Sequence, residues 1–205
     1  MEIFINGSRK NYQPRFPLTW GEFFSELHEN YIEPNHGIIR VLLNNRDSLI
    51  SIKNNPHHKV PENIKELEVV TKDTLSITKE GFIKVLALTD SIRCEIPATA
   101  HHYKAKQTKI ASEKIKKILK TIKPMIDFVN SVGINFSLNF DEIFNEKGIS
   151  LKEEIELFIK SFAKLVKVQE KNDHLEIAEY LEDQFSKDIS SWNKITKRLL
   201  KEVCL

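Results

Sequence analysis

Ala111, Ile115, Ile118, Ile122, Met125, Val129 and Val132 recur at alternating spacings of four and three residues without interruption. Only an α-helix, at 3.6 residues per turn, turns that spacing into one continuous apolar stripe. Such a stripe cannot be left in water, so the chain must supply other helices to cover it. Pro124 falls inside the stripe and predicts a kink or break there, at a cost of about 3 kcal/mol. The helix is expected to run from the stretch AHHYKAKQTKIASEKIKKILKTIK, residues 100–123, to Val132, just before Gly133.

Three further helical patterns answer this one. Thr78 can cap a helix stapled by Ile77 and Phe82, with Phe82, Val85, Leu86, Ile92 and Ile96 inward and Pro97 ending or kinking it. Ser150 and Glu153 form a capping box ahead of Leu151, Ile155, Phe158, Phe162 and Leu165. Asp173 with Glu176 caps a last helix whose inner face includes Leu175, Ala178, Leu181, Phe185, Ile189, Trp192, Ile195, Leu199 and Val203. Four single-faced helices joined by short loops predict an antiparallel four-helix bundle over residues 75–205.

Residues 1–74 change period several times over short distances, the mark of mixed strand and helix. EIFIN alternates, Gly7-Ser8 offers a turn, and a second extended segment runs toward Phe16 and Pro17. Thr19 and Glu22 form a capping box, with Leu18 and Phe23 as staple, for a helix ended by Pro34 and Gly37. Residues 38–43, 49–52 and 67–70 then read as three strands. The order ββαβββ within this length resembles the β-grasp, or ubiquitin-like, fold. Carrier members of that fold end in Gly-Gly, and here no glycine follows the last strand before Gly81, so the resemblance implies a protein-binding module and not a carrier. The fold class is therefore α+β, with a β-grasp-like module over 1–74 and a helical bundle over 75–205. The bundle loosely resembles small bacterial helical adaptors and export co-chaperones.

A chain of 205 residues, 40% hydrophobic and 29% charged, can bury a core without disulfide or metal. Its net charge of +2 argues against a dedicated nucleic-acid protein. Cys94 and Cys204 belong to no CxxC or Cys/His cluster and read as reduced thiols. The N-terminus has no basic stretch followed by an apolar one, and no run is long and apolar enough to span a bilayer. The expected location is the cytoplasm, with no membrane partner; an abundance of Lys, Ile and Asn suggests a bacterial source.

The chemistry-bearing residues do not converge in sequence. Residues 100–123 carry eight lysines against one glutamate. The heptad register places Lys106, Lys109, Lys116, Lys117, Lys120 and Lys123 on the solvent side, with acids of residues 141–183 as the expected counterweight. His101 and His102 are adjacent, point about 100° apart on a helix and make a poor metal pair. Glu33-x-x-His36 contains Pro34, and Asp173, Glu176, Glu179 and Glu182 drift around a helix surface. No nucleophile with a base and no glycine-rich phosphate loop is legible, so no catalytic, cofactor or metal residue is assigned.

The remaining feature is INFSLNF, residues 134–140, where Ile134, Phe136, Leu138 and Phe140 alternate with polar residues. That period predicts a cover strand inside the helical region, followed by a short helical turn at Ile143 and Phe144. The expected function is protein binding through the bundle or through Ile134, Phe136, Leu138, Phe140 and Phe144, by strand addition or helix exchange. The partner is another protein, with a homo-oligomer left open. The alternatives are an enzyme whose site assembles from distant residues, and a nucleic-acid-associated bundle using the lysines of 104–123.

Overall fold

The computed structural model describes residues 1–14 and 17–204, so the expected strand end at Phe16 lies outside the described residues. The protein divides into two units, Met1–Ile77 and Thr78–Leu205. The first holds a five-stranded mixed sheet and the second is helical, which makes the chain α+β.

In the first unit, β1 (Glu2–Ile5) and β2 (Ser8–Lys10) form the expected hairpin. Its turn residues, Asn6 and Gly7, both have positive φ, 50° and 75°, as a two-residue hairpin of this twist requires. Helix α1 (Trp20–Tyr31) starts at the expected capping box, in which Thr19 accepts from the Glu22 amide and the Glu22 side chain accepts from the Thr19 amide. It buries Trp20, Phe23 and Leu27 on the side where the apolar residues recur.

Strand β3 (His36–Leu43) turns through Asn44 and Asn45, both at positive φ, into the two-residue β4 (Arg46–Asp47). Residues 49–52, read as a strand, instead open helix α2 (Leu49–Asn54). An Asp47 carboxylate oxygen accepts from the Leu49 amide and turns the chain, and Ile52 is the residue the helix buries. The extended run comes later, as β5 (Glu66–Asp73). The sheet order is β2-β1-β5-β3-β4, with β1 and β5 parallel and the other pairs antiparallel. Its covered side presents Ile3, Ile5, Val41, Leu67 and Val69 to the α1 side chains.

Helix α3 (Thr74–Lys104) starts four residues before the expected Thr78 cap and passes through Pro97. Asp73 provides the cap, its Oδ2 accepting from the Ser76 amide at 2.7 Å, which draws the carboxyl below its usual value. Pro97 removes one backbone hydrogen bond, yet Ile92 and Ile96 before it and Ala100 and Tyr103 after it are buried on one face. That burial outweighs the local cost. The expected start of the next helix near residue 100 is corrected in the same way. The break falls at Ala105–Gln107, with Lys106 at φ 60°, and α4 runs Thr108–Asn135. Pro124 lies inside it, and all seven residues of the apolar stripe are buried.

The strand expected at 134–140 does not form. Helix α4 continues to Asn135 and ends in a Schellman cap. Leu138 donates its amide to the Gly133 carbonyl at 2.9 Å, Ser137 donates to Ile134 at 3.2 Å, and Ser137 has φ 51°. The alternation of INFSLNF is thus the apolar signature of a cap folding back on its own helix. Phe140 completes it, its ring lying against Gly133 so closely that an added Cβ would meet Phe140 Cζ at 2.5 Å. The helical turn expected at Ile143 and Phe144 is instead extended, with Phe144 in an isolated antiparallel bridge to Ser150.

Helix α5 (Leu151–Glu170) starts at its capping box, Ser150 with Glu153. The last helix is interrupted, and in its first turn Leu175, expected on the inner face, is exposed while Ile177 and Ala178 are buried. Helix α6 (His174–Tyr180), capped by Asp173, passes through a π-helical turn at Leu181–Phe185 into α7 (Ser186–Cys204). Side-chain pairs run in opposite order along α5 and this last rod, from Ser161–Tyr180 through Phe158–Trp192 to Glu154–Arg198, so the two are antiparallel. One apolar core gathers residues of α3, α4, α5, α6, the π-helical turn and α7, including Phe82, Ile118, Phe158, Phe185 and Trp192. Among the described residues, no helix is long and apolar enough to cross a membrane.

Candidate functional site

Loop residues 144–149, one side of α5 and one side of α7 enclose an open groove of about 690 Å³. Asn145 builds its loop wall. The Asn145 Oδ1 accepts from the amides of Lys147 (2.8 Å) and Ile149 (3.1 Å), and its own amide donates to the Ile149 carbonyl (2.9 Å). Gly148 donates to the Asn145 carbonyl and takes φ 74°, where a side chain would be strained. The Asn145 side-chain amide then donates to Glu154 Oε1 at 2.8 Å, and Glu154 Oε2 pairs with Arg198. One carboxylate thereby ties the loop, α5 and α7 together.

The Glu154 and Arg198 side chains are only 20% and 19% exposed, so each needs the other. Burial draws the Arg198 guanidinium below its ordinary value, with the nearby Glu202 carboxylate acting in the opposite direction. Phe158 and Ile195 are buried beneath the groove, while Phe144 and Leu157 line it with 58% of their surface still in solvent. Lys194, Lys197 and Lys201 are spaced three and four apart on α7, the repeat that keeps side chains on one helix side.

A polar cluster adjoins the groove. The Ser161 hydroxyl bonds Asp188 and lies 2.8 Å from the Tyr180 hydroxyl, which donates to the Ser161 carbonyl at 3.0 Å. Gln184 donates to both Asp188 oxygens, at 2.9 and 3.2 Å. Burial raises the Tyr180 phenol above its ordinary value, the hydrogen bond with Ser161 opposes the shift, and the Asp188 charge adds to it. The π-helical turn lies between Tyr180 and Asp188, and the cluster fixes its two ends to α5. Nothing in the local sequence marks the cluster, because Ser161 and Asp188 come from different helices and match no short motif.

Of the five apolar residues singled out from sequence, the structure treats three alike and two otherwise. Phe136, Leu138 and Phe140 are partly buried against the helical core. Ile134 is 78% exposed at the end of α4, and Phe144 stands in the groove. Glu154, Arg198 and Leu157 match no short motif in the sequence. The three- and four-residue spacing of Lys194, Lys197 and Lys201 is the one sequence signal for this wall, and it is weaker than the eight lysines of residues 100–123.

Those denser lysines face solvent as the register requires, all six assigned positions being exposed. Their counterweight lies only in part in residues 141–183: Lys104 reaches Glu182 there at 2.5 Å, while Lys117 pairs with Glu95 of α3 at 2.8 Å and Lys123 with Asp127 of α4 at 3.0 Å. In the acidic ladder, Asp173 is spent on the α6 cap and Glu176 on Lys171. His101 and His102 lie in the last turn of α3 with ring centroids 6.3 Å apart, and His102 Nδ1 meets Gln107 Oε1 at 2.5 Å. His174 stacks on Tyr103 with centroids 5.5 Å apart. Cys94 and Cys204 are exposed free thiols. Among the described residues, no group of three or more His, Cys, Asp or Glu side chains could hold a metal ion. No family model, no curated protein and no solved structure matches the chain.

Proposed function

We propose that the protein is a non-enzymatic interaction module, an adaptor or chaperone-like binder, that takes a partner protein at the groove between α5, α7 and the 144–149 loop. The observation that carries this reading is the pair Phe144 and Leu157, two large apolar side chains standing 58% exposed in one concavity. Burying what remains of each contributes about 1–2 kcal/mol, which a folded monomer forgoes and a complex recovers. In this reading Phe136, Leu138 and Phe140 anchor the segment from beneath, Phe144 meets the partner, and Ile134 is a further exposed contact of the same segment.

The N-terminal unit is read as a β-grasp-like module, supported by its mixed five-stranded sheet with α1 packed on one side. The C-terminal unit is read as a four-rod bundle of α3, α4, α5 and the joined α6–α7. Exposed free cysteines support work in a reducing compartment such as the cytoplasm.

The test is a photo-crosslinker in place of Leu157, used in the source cell with and without Phe144→Ser. A discrete crosslinked protein that disappears with the Phe144 substitution supports the reading. A crosslinking pattern indifferent to Phe144 refutes it.

A further inference from the structure

Building on the reading of this groove as a docking site, we infer that its occupant is an acidic amphipathic α-helix of the partner protein. Two independent observations lead there, one from backbone hydrogen bonding and one from charge.

A partner strand needs a receptor backbone with free amides and carbonyls along an edge. Among the described residues, this groove presents no such edge, its loop wall being turn and bend over residues 146–148. Two walls are helices, whose mid-helix backbone groups bond to one another. On the loop wall the amides of Asn145, Lys147, Gly148 and Ile149 are all engaged, three of them by the side chain or carbonyl of Asn145. A segment entering the groove must therefore arrive with its own backbone satisfied. An α-helix does so, presenting apolar side chains at i, i+3/i+4 and i+7 to Phe144 and Leu157.

Charge selects the flanks of that helix. Five lining cations, Lys147, Lys194, Lys197, Arg198 and Lys201, face three lining carboxylates, Glu146, Glu154 and Asp188. Arg198 and Glu154 neutralise each other, and Asp188 is taken by Ser161 and Gln184. Among the described residues, four ammonium groups and two carboxylates, Glu146 and Asp188, remain without an ion pair, since the neutral Ser161 and Gln184 hold the Asp188 charge without cancelling it, and the lining keeps a net charge of +2. Lys194, Lys197 and Lys201 also repel one another at i,i+3 and i,i+4 spacing, an arrangement that costs the isolated helix and is relieved by carboxylates from outside. The apolar pair favours a protein over a nucleic acid, whose backbone would leave Phe144 and Leu157 in water.

The test uses three designed helical peptides of about 16 residues, about four turns, with identical Leu anchors and flanks of Glu, Gln or Lys. Binding to the full chain is read by fluorescence anisotropy at low and high salt. The Glu peptide is expected to bind roughly tenfold tighter than the Gln peptide at about 50 mM salt, with most of that advantage gone at about 500 mM. Lys194→Gln/Lys197→Gln/Lys201→Gln should erase the advantage while keeping Gln-peptide binding, and Phe144→Ser should weaken both peptides. Gln or Lys peptides that bind as well as the Glu peptide, all weakened by Phe144→Ser, overturn the acidic helix and leave the docking reading standing. A duplex oligonucleotide that displaces the Glu peptide from these lysines at lower concentration also overturns it. Absence of binding by all three peptides overturns the helix, and the docking reading is then judged by the Leu157 crosslink alone.

Discussion

Replacing Gly133 with Ala tests how the groove's loop is held. A Cβ at this position would lie 2.5 Å from Phe140 Cζ and 3.0 and 3.1 Å from the neighbouring ring carbons. Carbon atoms rest at about 3.5–4.0 Å, so the ring must withdraw by about 1 Å or the helix must shift. Overpacking of this kind costs about 1–3 kcal/mol, while Ala over Gly within a helix returns up to about 1 kcal/mol. The net expectation is a loss of about 0–3 kcal/mol. Truncating the ring first, with Phe140→Ala, removes the clash and leaves the propensity gain, so Gly133→Ala should then stabilise. The sign reversal is the signature, and the coupling between the two sites should be about 1–3 kcal/mol.

The chain makes this measurable, because one of its two tryptophans, Trp20, is buried in the first core and the other, Trp192, in the second. In a Trp20→Phe background, urea unfolding followed by fluorescence reports the helical unit alone. A coupling below about 0.5 kcal/mol, or stabilisation by Gly133→Ala with Phe140 intact, would show that the ring does not rest on the helix as described.

Three further outcomes follow from the same structure. Pro124→Ala should raise the stability of the helical unit by about 1–3 kcal/mol, since Pro124 is exposed inside α4 and the substitution restores a backbone bond; a loss in urea unfolding would mean that the local bend is needed for packing. Glu154→Gln should destabilise by about 1–3 kcal/mol by leaving Arg198 uncompensated, whereas Glu154→Leu/Arg198→Met should recover most of that loss. Equal losses in the single and double variants would contradict the pairing. Glu22 is held below its ordinary carboxylate value first by the Thr19 amide and then by the Thr19 hydroxyl. A lowered folded-state value stabilises the fold above the unfolded value, and that contribution disappears as pH falls through the folded one. Glu22→Gln should therefore flatten the acid limb of the stability profile, and an unchanged slope would remove Glu22 from the account.

The parts of the fold legible in sequence are those set by local chemistry. The stripe from Ala111 to Val132, the two capping boxes and the Asp173 cap all stand where side-chain type and spacing put them. The departures have two causes, tertiary burial overriding a local signal in one case and local hydrogen bonds that periodicity does not register in the others. Pro97 reads as a stop, yet α3 passes through it because residues on both sides share one buried face. Leu49–Ile52 is apolar enough for a strand, yet an Asp47 hydrogen bond starts a helix there. The alternation in INFSLNF comes from a Schellman cap, in which Leu138 returns to the end of its own helix. The site was less legible than the fold. Phe144 was reached through its neighbourhood, but the Asn145–Glu154–Arg198 link spans three elements and leaves no periodic trace.

The most direct measurement of the central claim is a backbone NMR titration of the full chain with the Glu-flanked helical peptide. The groove reading expects the largest shift changes at residues 144–149, at Leu157 and at Ser191–Lys201, with little change along the α4 lysines. Changes centred on Lys109, Lys116 and Lys120 of α4 would instead mean that carboxylates simply collect on the densest basic surface, and the groove would lose its role.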